Sequence, residues 1–259
     1  MNPVPLDIQA STFRLREERL EVAILPLAAL EQHGPHLPVA TDWLIVDAIA
    51  RRVAAELPSS YVLPALAYGT SLAHLGTAGT VGLSWPTLLH VVRDVVESLL
   101  RQDIRRVVVL NNLGEVSGTT VQPRGNFIVK TAVRQLNYAH PELDALWVQP
   151  LSVAGPQLGA IFESGADDVQ AGEVETSLLL ALRPDLVREA PPDYAPGLSR
   201  QMIDWAPFAR YAPGGVWGRP RLASRAKGER ALDVAVQATL RYINESFAAL
   251  AVAKGRGQD

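Results

Sequence analysis

Glu31 and His33 stand two residues apart, so in an extended segment both side chains project to the same side. Asp42 returns after a turn containing Gly34, Pro35 and Pro38. A carboxylate, an imidazole and a second carboxylate within twelve residues form a hard-to-borderline donor set, suited to Zn²⁺, Mn²⁺ or Fe²⁺. The same residues have a plainer use, in which Glu31 and Asp42 cap helices and His33 hydrogen-bonds the turn; spacing alone leaves both readings open. Glu175 sits early in a helical pattern, where a carboxylate suits either the helix dipole or acid–base work. The chain has no cysteine, which excludes disulfides and thiol nucleophiles and leaves any metal to the carboxylates and five histidines. Of these, His90 on a helix and His140 before Pro141 read as solvated surface residues.

The elements that must position these groups follow from hydrophobic patterning. Glu21 to Leu30 is a short apolar run that reads as a buried strand, and it delivers Glu31 and His33 at its carboxyl end. Thr41 or Asp42 can cap the helix after it, where Leu44, Ile45, Ala48, Ile49 and Val53 fall at helical spacing. A strand at Tyr61 to Leu66 follows, then a helix opened by Ser84 and Pro86 with Leu88, Leu89, Val92, Val95, Val96 and Leu99 in one stripe, then a strand at Arg105 to Leu110. The rhythm continues with a helix around Asn126 to Leu136, a strand near Ala145 to Val148, and a helix from Gly172 to Leu182. A long last helix runs from Gly228 to Leu250, with Leu232, Val236, Leu240, Ile243 and Phe247 on one side. Such alternation predicts an α/β fold, a mostly parallel sheet with helices on both faces, and ligands at the strands' carboxyl ends.

At 259 residues, with 48% hydrophobic and 20% charged, the chain is expected to form one domain, residues 1–259. Pro191 to Pro220, rich in Gly, Pro, Tyr and Trp, reads as a functional or interface loop rather than a linker. A net charge of −3 with scattered arginines argues against nucleic acid as a partner. No apolar stretch is long enough to span a bilayer and the first thirteen residues lack the pattern of a signal peptide, so no membrane partner and a cytoplasmic location are expected.

Leu25 to Asp42, LPLAALEQHGPHLPVATD, resembles the first signature of the creatininase family, roughly LPxGSxEQHGPHLPxxTD. Tyr68 to Leu83 resembles YGxSxEHxxFPGTxxL, Gln170 to Ser177 resembles HAGxxETS, and Gly214 to Glu229 resembles GVxGxPxxATxxxGE, so the likeness covers most of the chain. The resemblance implies a three-layer α/β/α fold, a metal-dependent hydrolase of a C–N bond in a small cyclic or linear amide, and a homo-oligomer such as a hexamer. By the same resemblance Glu31 would belong to one metal, His33 to the other and Asp42 to both. The family segment NGHxEN, whose His and Glu are ligands, reads here Asn111-Asn112-Leu113-Gly114-Glu115. Leu113 cannot donate a lone pair, so the expectation is one Zn²⁺ or Mn²⁺ on His33, Asp42 and Glu115, or no ion, rather than a pair. His36 and His74 are candidate replacement ligands.

Gln170 stands where creatininase has a proton-shuttling His, and Ala166 where it has a Trp, although the adjacent Asp167 is kept; creatinine is therefore not the expected substrate. Ser71, His74, Asp167 and Gln170 are the expected substrate contacts, and Glu115 and Glu175 the expected acid–base groups. The alternative is a catalytically silent relative that binds a small molecule or partner, and a third is a non-hydrolytic isomerase or lyase step.

Overall fold

The computed structural model describes residues 6–111 and 125–255; Leu113 and Glu115 lie outside the described residues. In chain order the main elements are α1 (Thr12–Glu17), β1 (Val22–Leu27), α2 (Thr41–Glu56), β2 (Ser60–Val62), α3 (Trp85–Leu100), β3 (Arg106–Asn111), α4 (Gly125–Ala139), β4 (Asp144–Val148), α5 (Pro150–Val153), α6 (Gly155–Leu158), α7 (Glu173–Leu182) and α8 (Arg225–Gly255). The strands form one parallel sheet in the order β2-β1-β3-β4.

Alternate residues of the strands feed two cores. Val22 and Ile24 of β1 and Val108 and Leu110 of β3 pack with α2, α5, α6, α7 and α8 on one face. Ala23, Leu25 and Leu27 of β1 and Val107 and Val109 of β3 pack with α3 and α4 on the other. A sheet buried on both faces explains why β1 and β3 read as continuous apolar runs. Among the described residues the fold is thus a three-layer α/β/α sandwich with an all-parallel sheet. Among the described residues no helix is long and apolar enough to cross a membrane.

Several boundaries differ from the sequence expectation. The second strand ends at Val62, because Pro64 cannot donate to the ladder, and Leu66 survives only as an isolated bridge to Leu27. Pro26 is tolerated in central β1 because it bonds through its carbonyl to Leu66 N beyond the end of β2. Neither Thr41 nor Asp42 caps α2: Ala40 holds that position, the Thr41 hydroxyl donates to Pro38 O at 2.6 Å, and Asp42 lies buried in the first turn. The helices α1, α5 and α6 were not foreseen, being too short to show periodicity.

From β1 the chain crosses through α2 to β2 on one side, whereas from β3 it crosses through α4 to β4 on the other. The connections diverge between β1 and β3, and that divergence opens a crevice at their carboxyl ends. Glu31 and His33 emerge there. A third, smaller cluster of Val169, Ile203, Phe208, Ala212 and Trp217 brings the 191–220 segment down onto the crevice.

Candidate metal centre and catalytic pocket

Past β1 the chain turns sharply at Gly34, whose φ of +66° belongs to the left-handed region and where a Cβ would lie 2.6 Å from Val216 Cγ2. The turn points His33 inward. Its Nδ1 lies 3.0 Å from Glu31 O, and a carbonyl only accepts, so Nδ1 carries the proton and Nε2 keeps its lone pair in the neutral ring. Nε2 faces Asp42 Oδ1 at 3.7 Å and Glu175 Oε1 at 3.6 Å. It is fully buried and makes no hydrogen bond among the described residues. A buried lone pair directed between two carboxylates is what a cation-binding imidazole requires.

Two helix starts bring those carboxylates in. Asp42 is the second residue of α2 and Glu175 the third of α7, where the positive end of each helix dipole favours an anion. Glu175 is fixed by Ala171 N, which donates to its Oε2 at 2.6 Å. Ligand atoms of Glu31, His33 and Asp42 all lie within 4.8 Å of one another. Burial pushes the Glu31 carboxyl up and takes Asp42 up to about 7. Burial also works against a charged His33, but the Glu175 and Asp42 carboxylates outweigh it and raise its pKa well above 6.5. For Glu175 burial is likewise outweighed, by His33, and its pKa falls. A protonated His33 and a divalent cation are alternative ways of neutralising this cluster. The residues present therefore fit a divalent ion.

Beside Glu31 a cavity of about 1100 Å³ opens, walled by Leu72, Trp85, Ile128, Ile203, Trp205 and Phe208. Its polar inner end is formed by Glu31, Ser71, His74 and Gln170. Gln170 is held by backbone pairing with Trp217 in both directions and by its side-chain amide, which donates to Gln32 O at 2.7 Å. Ser71 and Gln170 both act on the Glu31 carboxylate, moderating the rise that burial causes.

Four expected residues, Glu31, His33, Asp42 and Glu175, are thus brought together, and Ser71, His74 and Gln170 line the adjoining cavity. Asp167 is elsewhere: it is exposed, 3.6 Å from Arg219, and does not line the cavity. His36 is a loop-positioning residue, with Nε2 2.9 Å from Thr176 Oγ1 and a pKa lowered by burial to about 4. Sequence reasoning cast Glu175 as an acid–base group; the structure places its Oε1 3.6 Å from His33 Nε2. The contribution of Gln32 was missed altogether.

The creatinine amidohydrolase family model matches residues 7–243. The chain is 34% identical over 244 residues to the creatinine amidohydrolase of Pseudomonas putida, covering 87% of this chain and 90% of that one. It is 30% identical over 245 residues to the mycofactocin precursor peptide peptidase of Mycolicibacterium smegmatis, covering 87% and 85%. A solved manganese form of creatininase superposes with a TM-score of 0.73 at 28% identity, over 94% of this chain and 99% of that one. The fold and the buried His and carboxylate cluster are those of a hydrolase scaffold of α/β/α type with a candidate metal site at the β1/β3 crevice. The chain belongs to the creatininase family.

Proposed function

We propose that the protein hydrolyses a C–N bond in a cyclic or linear amide with one divalent ion, Zn²⁺ or Mn²⁺, held by His33, Asp42 and Glu175, and that creatinine is not its substrate. The observation that carries this is the buried His33 Nε2, directed at two carboxylates and without a hydrogen bond among the described residues. Glu115 follows β3, whose carboxyl end adjoins that of β1, which supports its serving as a further ligand or as the acid–base group. His33, Asp42 and Glu175 would hold the ion, and the chemistry supplied there would be a lowered pKa for a bound water and polarisation of the amide carbonyl.

The chain's own groups do the rest. Glu31 O fixes the His33 ring, Ala171 N fixes Glu175, and Ser71, His74 and Gln170 orient the amide at the inner end of the cavity. A cavity at the upper end of the range for drug-sized ligands favours a substrate bulkier than creatinine. Elemental analysis of purified protein is expected to give about one Zn²⁺ or Mn²⁺ per chain, with activity on an amide panel. Two tightly held ions would overturn the single-ion reading, and none after refolding with metal would overturn the hydrolase reading.

A specific observation favours a second reading, a catalytically silent binding protein: the Gln170 amide is committed to Gln32 O and does not titrate, so it moves no protons. Hydrolysis of any amide in the panel, lost in Glu115→Gln, would dismiss it. We further propose a cytoplasmic homo-oligomer of hexameric size, to be measured by analytical ultracentrifugation.

A further inference from the structure

Gln32 lies between Glu31 and His33, and it is buried. Its backbone and side-chain polar groups are all committed, each to a different residue. Its N donates to Thr80 Oγ1 at 3.0 Å, and its O accepts from Gln170 Nε2 at 2.7 Å. Its Oε1 accepts from Gly34 N at 3.0 Å, which orients the amide, because a backbone N–H only donates. The amide nitrogen then faces His74 Nδ1 at 3.1 Å. The amide is also enclosed by the 191–220 segment: a Cβ on Gly215 would lie 2.4 Å from Oε1.

The contact that fixes the His33 ring, from Nδ1 to Glu31 O, spans Gln32, so the backbone torsions of Gln32 set it. The same torsions set how far the Glu31 carboxylate stands from His33 Nε2, within a donor group whose atoms lie no more than 4.8 Å apart. Metal–ligand distances tolerate departures of only about 0.2 Å. A segment free to shift by more than that would hold an ion poorly.

We propose that Gln32 is a positioning residue of the metal centre: its side chain, braced between Gly34 N and His74 Nδ1, holds residues 31–33 in ion-binding geometry before an ion arrives. The proposal rests on the metal reading above. A Gln32 that serves only the fold and one that positions ligands differ in what its removal changes. The first lowers the stability of the protein, the second the affinity of the folded protein for the ion.

The test uses the full chain after chelator treatment. Zn²⁺ affinity is measured by competition with a chromophoric chelator, and the stability of the same metal-free protein by urea titration. Gln32→Met keeps the length of the side chain and removes both of its hydrogen bonds. It is expected to weaken Zn²⁺ binding roughly 10- to 100-fold, the range for loss of a group that supports a ligand. Thr80→Val keeps the shape of the side chain but removes the acceptor for Gln32 N, and should weaken binding about three- to tenfold. Leu99→Ala is the control, since Leu99 is buried in the core of α3 and α4, roughly 20 Å along α3 from Trp85 at the cavity. It should lower stability while leaving Zn²⁺ affinity within about twofold of wild type.

Variants of Gln32 and Thr80 that lose stability yet bind Zn²⁺ as the wild type does would overturn the positioning role and leave the metal reading standing. If Gln32→Met does not fold, Thr80→Val carries the test, and wild-type affinity there overturns the role. A wild-type protein that binds no Zn²⁺ overturns the metal reading and this one together.

Discussion

His33 makes three commitments through one ring: Nδ1 to Glu31 O, and Nε2 to the space between Asp42 and Glu175. Each can be tested separately. Glu175→Gln preserves shape but removes an anionic donor, and is expected to weaken metal binding by roughly 10- to 100-fold or more, the range seen when even a supporting group is lost. Chelator competition measures it, and wild-type affinity in this variant would return Glu175 to an acid–base role. His33→Ala removes the imidazole itself and is expected to abolish stoichiometric metal in elemental analysis while leaving the circular dichroism spectrum unchanged.

The first turns of α2 and α7 carry site carboxylates, so whatever anchors those helices sets the site. Glu173 in α7 is fully buried and accepts from Ser164 N, Ser164 Oγ, Glu163 N and Lys227 Nζ of α8. Burial alone would raise its pKa, but the bonds from Lys227 and Ser164 prevail and hold it below 4.5. A depressed carboxylate stabilises the fold above its unfolded value and loses that contribution as pH falls through the folded one. Glu173→Gln should therefore cost about 2–3 kcal/mol at pH 7, less than a fully buried pair because Lys227 is partly exposed. In urea titrations the gap between variant and wild type should narrow as pH drops below 4.5. Close by, a Cβ on Gly228 would meet Ser177 O at 1.9 Å, so Gly228→Ala should push α8 off α7 and destabilise the protein despite its better helix propensity. On the opposite face, Leu88 of α3 is fully buried, and Leu88→Ala should cost about 2–5 kcal/mol in the same assay.

Over the whole molecule the centre joins the segments after β1, the start of α2 and the start of α7, which only the folded chain brings together. A ligand that binds only the native state stabilises it, by about 2.7 kcal/mol at a hundredfold excess over Kd. Adding Zn²⁺ or Mn²⁺ to chelator-treated protein should raise its Tm, and the rise should vanish in His33→Ala.

The sequence by itself determined the alternating α/β rhythm, because helical and strand periodicities survive in isolated segments. It also singled out Glu31, His33 and Asp42 as a candidate donor set, because all three lie within twelve residues around one turn, and the resemblance to the family signature favoured the metal reading that spacing alone leaves open. The extent of β2 and the short helices α1, α5 and α6 were not legible, since a proline's effect on a ladder and a one-turn helix both depend on neighbours distant in the chain. Tertiary structure alone decided that Glu175, 133 residues beyond Asp42, approaches the same nitrogen, and that Asp167 does not reach the cavity. It alone set the Gln32 amide, held by Gly34 N, 3.1 Å from His74 Nδ1 some forty residues later in the chain. Local pattern encodes which element a residue occupies. Which atom faces which is set by packing between elements, and a hydrogen-bond direction exists only once both partners are in place.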